Sequence, residues 1–179
     1  MTESRLWLIR HAESTWNAAG RWQGQADPPL SERGRAQARQ LAESLRAEDL
    51  ELLVTSDLAR AAETAKIVGA TLGIDIRPEP RLRELDAGAW SGLSRDEIAG
   101  RAGEALRRFD AGDPLAPAGG AESRADVATR ARAALGELLD TCGDRRVAIL
   151  SHQGVLGSLL PGLELPNAEW RTAERSDLE

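Results

Sequence analysis

Residues 6–11 read L-W-L-I-R-H and residues 147–152 read V-A-I-L-S-H. Each is an apolar run that stops abruptly at a polar pair, which is how a buried strand of a parallel sheet reads. His11 and His152 are the only histidines among the 179 residues. Open α/β sheets bind ligands beyond the carboxyl ends of their strands. The two imidazoles are therefore expected side by side at one rim. With Arg10 beside them, they make a set suited to an anion.

Working outward, strands and helices alternate. After the first strand comes a loop over 12–30, punctuated by Gly20, Gly24 and Pro28-Pro29. Ser31 is expected to cap a helix with Ala38, Leu41, Ala42 and Leu45 in phase. A second strand is expected over 50–56, with Asp57 capping the helix that follows and Gly73 ending it. Residues 74–77 read as a short strand. Ser94 and Glu97 fit a capping box that opens a helix toward Phe109. Residues 110–121 read as a loop and a candidate lid, and about 122–141 as a long helix. The 146–151 strand is taken as the last and leads into a short helix that Pro161 or Gly162 ends. The polar tail from about 166 to 179 has no assignment. This alternation predicts an α/β fold, a mostly parallel sheet with helices on both faces, in one domain over 1–179.

Composition narrows the function. The net charge of −6 and the absence of a basic run argue against a nucleic-acid surface. Arginine dominates the cations, with Lys66 the single lysine among 23 Lys and Arg. The lone Cys142 has no partner for an internal disulfide, and the first apolar run is broken by Arg10 and His11 before it could serve as a signal segment. No stretch is long enough to span a membrane. A cytoplasmic protein is expected.

The strand ends then specify chemistry. They carry Arg10-His11, Asp57 with Arg60, Arg83-Glu84 and Ser151-His152. Arginine presents a planar fork that matches phosphate oxygens. Two arginines and one cationic histidine would neutralise the equatorial oxygens of a transferring phosphoryl group. The other histidine, neutral at one nitrogen, can attack phosphorus in line. A nearby carboxylic acid can protonate the leaving alkoxide. Such a set requires no metal or cofactor, and two histidines with one clear acid are too few ligands for a metallohydrolase.

These residues sit in stretches that resemble a known family. L-I-R-H-A-E-S-T-W-N at 8–17 is similar to the signature of the histidine phosphatase superfamily, in its phosphoglycerate-mutase-like branch. The likeness continues through W-Q-G-Q-A-D-P-P-L-S-E-R-G at 22–34, T-S-D-L-A-R-A-A-E-T-A at 55–65, R-L-R-E-L-D-A-G-A-W-S-G at 81–92 and S-H-Q-G-V at 151–155. The resemblance implies a three-layer sandwich and a set of roles. His11 would become phosphohistidine. Arg10, Arg60 and His152 would complete the phosphate pocket, Glu84 would be proton donor and then base, and Asn17 and Gln23 would add polar contacts. Trp16, Trp22 and Trp90 lie within the motifs and are candidates for the pocket mouth. Two positions depart from the family pattern. Ala12 stands where glycine is usual, so its methyl would be strained if the backbone needed a positive φ. Gln153 stands where the second histidine is usually followed by glycine, and it would close part of the pocket or add a donor.

The implied activity is hydrolysis of small phosphate monoesters, with a small phosphorylated metabolite as partner. A cofactor-dependent phosphoglycerate mutase and an inactive phospho-ligand-binding homologue are the alternatives. The short chain and small candidate lid favour the phosphatase. Sugar phosphates, phosphoglycerates, nucleotide-loop precursors and phosphoproteins share the same reactive group, so the motifs choose neither a substrate nor an oligomeric state.

Overall fold

The computed structural model describes residues 5–178; residues 1–4 and 179, the ends of the range expected to form one domain, lie outside it. Strand β1 (Arg5–Arg10) leads through the short helix α1 (Thr15–Ala18) to α2 (Glu32–Ser44). Then come β2 (Leu52–Thr55), α3 (Ala59–Leu72) and β3 (Asp75–Pro78). Two longer helices follow, α4 (Arg95–Asp110) and α5 (Arg124–Cys142), and then β4 (Val147–Ser151), α6 (Gln153–Leu159) and β5 (Trp170–Glu174).

The strands form one sheet in the order β3-β2-β4-β1-β5. The first four are mutually parallel, and β5 runs antiparallel to β1. Period-two alternation splits the core in two. Leu6, Leu8, Val54 and Ile149 face α5 and α6 through Val127, Leu135, Val155 and Leu159. Trp7, Ile9, Leu53 and Leu150 face α2 and α3 through Leu41, Leu45, Ala61 and Val68. Helices thus cover both faces of the sheet, giving the three-layer sandwich.

The helix starts follow local chemistry. The Ser31 hydroxyl accepts from Gly34 N at 2.9 Å, and Ser94 with Glu97 and Ser123 with Asp126 form reciprocal capping boxes. Helix α4 is kinked at Ala102 (φ −145°), between Gly100 and Gly103. Two expectations fail. Asp57 does not cap α3: its carboxylate takes two hydrogen bonds from Arg83 at 2.7 and 2.6 Å, and Asp27 instead accepts from Ala59 N at 2.6 Å. An ion pair with a guanidinium outcompetes a local cap for the same oxygens. Nor is β4 the last strand. The tail supplies β5, whose residues 170–174 pair with Ile9 through Arg5.

Candidate active site

Strand register creates the site. Arg10 lies opposite Ser151 in the β1–β4 ladder, so His11 and His152 leave neighbouring parallel strands at the same level. His11 N donates to Ser151 O at 3.0 Å, and the two imidazole centroids are 4.9 Å apart. Arg60, on the first turn of α3, is fully buried. Its guanidinium donates to Ala26 O and Gly24 O, both at 2.9 Å. Gly24 has φ +51°, and a Cβ there would meet Ala87 N at 2.6 Å, so glycine is what lets this turn approach.

A cavity of about 470 Å³ opens at this rim. Arg10, His11, Asn17, Gln23 and Glu84 line it. Arg60 and His152 stand behind that wall, each 0% exposed. All seven candidate residues are therefore gathered at one strand rim, five on the surface of the cavity and two beneath it.

The hydrogen bonds orient these groups. His11 Nδ1 is 2.7 Å from Ala12 O. A carbonyl can only accept, so Nδ1 carries the proton and Nε2 keeps its lone pair. His152 Nε2 pairs with Ser56 Oγ at 2.8 Å. Glu84 accepts from Leu85 N at 2.8 Å and Gly154 N at 3.2 Å. A Cβ at Gly154 would overlap Glu84 Oε1, so Gly154 keeps room for the carboxylate. Ser14 Oγ donates to Gln23 Oε1 at 2.5 Å, and Ser14 N donates to Asn17 Oδ1 at 3.1 Å. Asn17 thereby caps α1 as well as facing the cavity.

The electrostatics are cationic and unbalanced. Arg10 donates to Leu165 O at 2.7 Å. Among the described residues, four buried side-chain N or O atoms have no partner, and three are Arg10 Nε, Arg60 Nε and His152 Nδ1. Burial lowers the proton affinity of both guanidiniums, which nonetheless stay charged at any ordinary pH. Burial first, and then the charge of Arg60, hold both imidazoles well below the ordinary value of 6.5. In the ligand-free protein these shifts favour the neutral form of both histidines. They also predict a pH dependence. Below 6.5 an unfolded chain protonates both imidazoles while the folded protein does not, so stability is lost as pH falls. The melting temperature should decline between about pH 7 and about pH 5.5, before the carboxylates titrate. His152→Gln should make that decline shallower; an unchanged slope would refute the assignment.

The two departures from the family pattern resolve differently. Ala12 is not at positive φ. Its methyl packs with Leu30 and Ala38, and its N–H donates to Thr64 Oγ1 at 3.1 Å, so the expected strain is absent. Gln153 does line the cavity, but its amide is engaged at both ends. Nε2 donates to Leu163 O at 2.7 Å, and Oε1 accepts from Leu165 N at 2.9 Å. It pins the 163–165 segment against the pocket, the same segment whose Leu165 carbonyl holds Arg10. The candidate lid at 110–121 contributes nothing to the described cavity wall; Gly162, Leu163 and Glu164 do. Of the tryptophans, Trp22 lines the cavity and Trp90 is buried against it at 5.2 Å, while Trp16 stays outside the lining.

Sequence reasoning missed Ser56, Phe109, Arg124 and the 162–165 segment. Ser56 follows β2 as His152 follows β4, so strand ends were the available signal; the others sit on loops or helix ends with no motif.

The sequence profile of the histidine phosphatase superfamily (branch 1) matches residues 6–177. The chain belongs to this superfamily. This histidine phosphatase is 38% identical over 179 residues to the glucosyl-3-phosphoglycerate phosphatase of Mycobacterium tuberculosis, covering 95% of this chain and 80% of that one. It is 37% identical over 156 residues to a probable phosphoglycerate mutase GpmB of Photorhabdus laumondii, covering 87% and 73%. A solved structure of mycobacterial glucosyl-3-phosphoglycerate phosphatase complexed with VO3 superimposes with a TM-score of 0.86 at 37% identity, over 94% of this chain and 92% of that one. The family and three-layer fold implied by the motifs are borne out.

Proposed function

We propose that this histidine phosphatase hydrolyses small phosphate monoesters through a phosphohistidine on His11, without a metal ion. The observation that carries this reading is the bare Nε2 of a buried, neutral His11 among guanidinium nitrogens that lack partners. Buried polar atoms are nearly always paired, so orphaned cationic donors beside a nucleophile mark an anion site.

A phosphate monoester is a dianion near neutral pH, its second pKa being about 6. Its charge offsets Arg10 and Arg60 and draws a proton onto His152, which the protein alone leaves neutral. His11 Nε2 attacks phosphorus in line, the P–O bond to the alcohol breaks, and Glu84 gives the departing oxygen its proton. Glu84 then takes a proton from water, whose oxygen attacks phosphorus and releases His11 and inorganic phosphate. Asn17 and Gln23 border the same space and hold the transferred group. Cytoplasmic action on a free metabolite rather than on nucleic acid belongs to the same proposal, in line with the net charge of −6 and the buried, free Cys142.

Purified protein should release inorganic phosphate from a monoester panel at the same rate with and without excess EDTA. Loss with chelator and rescue by a divalent ion would overturn the mechanism. Phosphate release should also greatly exceed interconversion of 2- and 3-phosphoglycerate. The opposite ratio, dependent on added 2,3-bisphosphoglycerate, would favour a mutase.

A further inference from the structure

Ser56 has no role in the catalytic steps, yet it is packed against His152. It follows β2, and its N–H donates to Leu150 O at 3.0 Å, so the β2–β4 register sets it beside the end of β4. Its Oγ is 2.8 Å from His152 Nε2, and both residues are 0% exposed. The same oxygen accepts from Leu58 N at 3.3 Å. His152 Nδ1 has no partner among the described residues.

The bond between Ser56 and His152 can run in two directions. A hydroxyl has one proton to give and two lone pairs, and a neutral imidazole has one protonated and one bare nitrogen. Burial, and then the charge of Arg60, favour the neutral ring. If Nε2 carried the proton, it would donate to Oγ. The Ser56 O–H would then lack an acceptor at a buried position, because Nε2 and Leu58 N are the partners of Oγ among the described residues. Nδ1 would set a lone pair against any phosphate oxygen that reached it. If Ser56 donates instead, its O–H, the Leu58 N–H and Nε2 are all satisfied. The atom left over is an Nδ1–H donor, of the same kind as the unpartnered Arg10 Nε and Arg60 Nε. Leaving a buried donor unpaired is costly enough to favour this second arrangement by about tenfold or more.

We propose that Ser56 is a positioning residue that holds His152 in the Nδ1–H tautomer, so that the neutral ring already offers the phosphate a donor. The inference rests on the phosphatase reading and adds a residue to it. When the bound dianion draws a further proton onto the ring, that proton goes to Nε2. The hydroxyl then turns and accepts the bond it had donated, with its oxygen in place. Alanine at this position can do neither.

With two histidines in the chain, the tautomer can be read directly. Heteronuclear NMR of protein labelled with nitrogen-15 at histidine separates protonated from bare ring nitrogens, and His11→Ala protein identifies the signals of His152. Well above the ordinary imidazole pKa of about 6.5, His152 should show Nδ1 protonated and Nε2 bare. A proton on Nε2 instead would overturn the proposal. Ser56→Ala should abolish the preference for Nδ1–H. It should also lower kcat/KM for p-nitrophenyl phosphate by about 10- to 100-fold, because a protonated Nε2 would be left without an acceptor. Ser56→Thr, which keeps the hydroxyl, should restore both. A lower melting temperature and activity in Ser56→Ala with the tautomer unchanged would make Ser56 a packing residue and overturn its positioning role. Should the unaltered protein hydrolyse no monoester, the phosphatase reading fails on its own. The tautomer and the affinity for inorganic phosphate then decide the role of Ser56: weaker binding in Ser56→Ala together with a lost Nδ1–H preference supports it, and unchanged binding overturns it.

Discussion

His11→Ala should reduce turnover by about 10⁴-fold or more, the scale seen when a covalent route is removed from an enzyme that keeps its binding site. Acid-labile phosphoryl labelling, trapped by rapid quench, should vanish with it. The fold should persist, because His11 side-chain bonding is limited to Ala12 O and the substitution leaves β1 paired on both edges. Far-UV circular dichroism and the melting curve separate loss of chemistry from loss of structure. His152→Ala should also lose most turnover but still label slowly, since the nucleophile remains. Labelling that maps to His152 would exchange the two roles. The assignment to His11 rests on the contrast between them: His11 faces the cavity with a bare Nε2, whereas His152 lies behind it with Nε2 on Ser56.

The second large effect concerns the leaving group. An alkoxide needs a proton as it departs, and a positioned acid typically supplies ~10²–10⁴-fold. A p-nitrophenolate is stable without one. Glu84→Gln should therefore slow phosphoryl transfer from an alkyl phosphate by about 10²-fold or more, and from p-nitrophenyl phosphate by less than about tenfold. With the activated ester the variant should accumulate phosphohistidine, because the same carboxylate serves as base for water. Equal slowing on both esters would make Glu84 a structural residue. The geometry argues otherwise, since Leu85 N and Gly154 N hold the carboxylate at the cavity wall.

Much of this was legible from residues because the site sits at strand ends. β1 and β4 are buried on both faces, so they appear as unbroken apolar runs, and their termini point to where His11 and His152 meet. The capping box at Ser94 is local and was legible from the spacing of Ser94 and Glu97. What escaped depended on tertiary competition. β5 is an edge strand in which Ala173 alone is buried, so W-R-T-A-E shows no apolar run. Asp57 has the composition of a helix cap, yet Arg83, distant in sequence, claims it. Neither the Gln153 anchor nor the Arg124–Phe109 contact has a periodic signature, because each joins a helix end to a loop or a neighbouring helix.

The position of β5 has a consequence for biosynthesis. Strand β1, which leads into His11, is made well before either of its sheet partners, β4 and β5. Residues 147–151 flank one edge and residues 170–174 the other. The backbone at Arg10 and His11 also waits for a late segment: Ala168 N donates to Arg10 O and His11 O at 3.2 Å, and Asn167 Nδ2 donates to His11 O at 3.0 Å. A nascent chain on the ribosome thus holds Arg10 and His11 on an unpaired strand until residues 147–174 are made. Long-range pairing of this kind is slow and leaves apolar edges open to other chains. Leu6, Trp7, Leu8 and Ile9 are then a sticky segment that stays open until residues 147–174 have emerged.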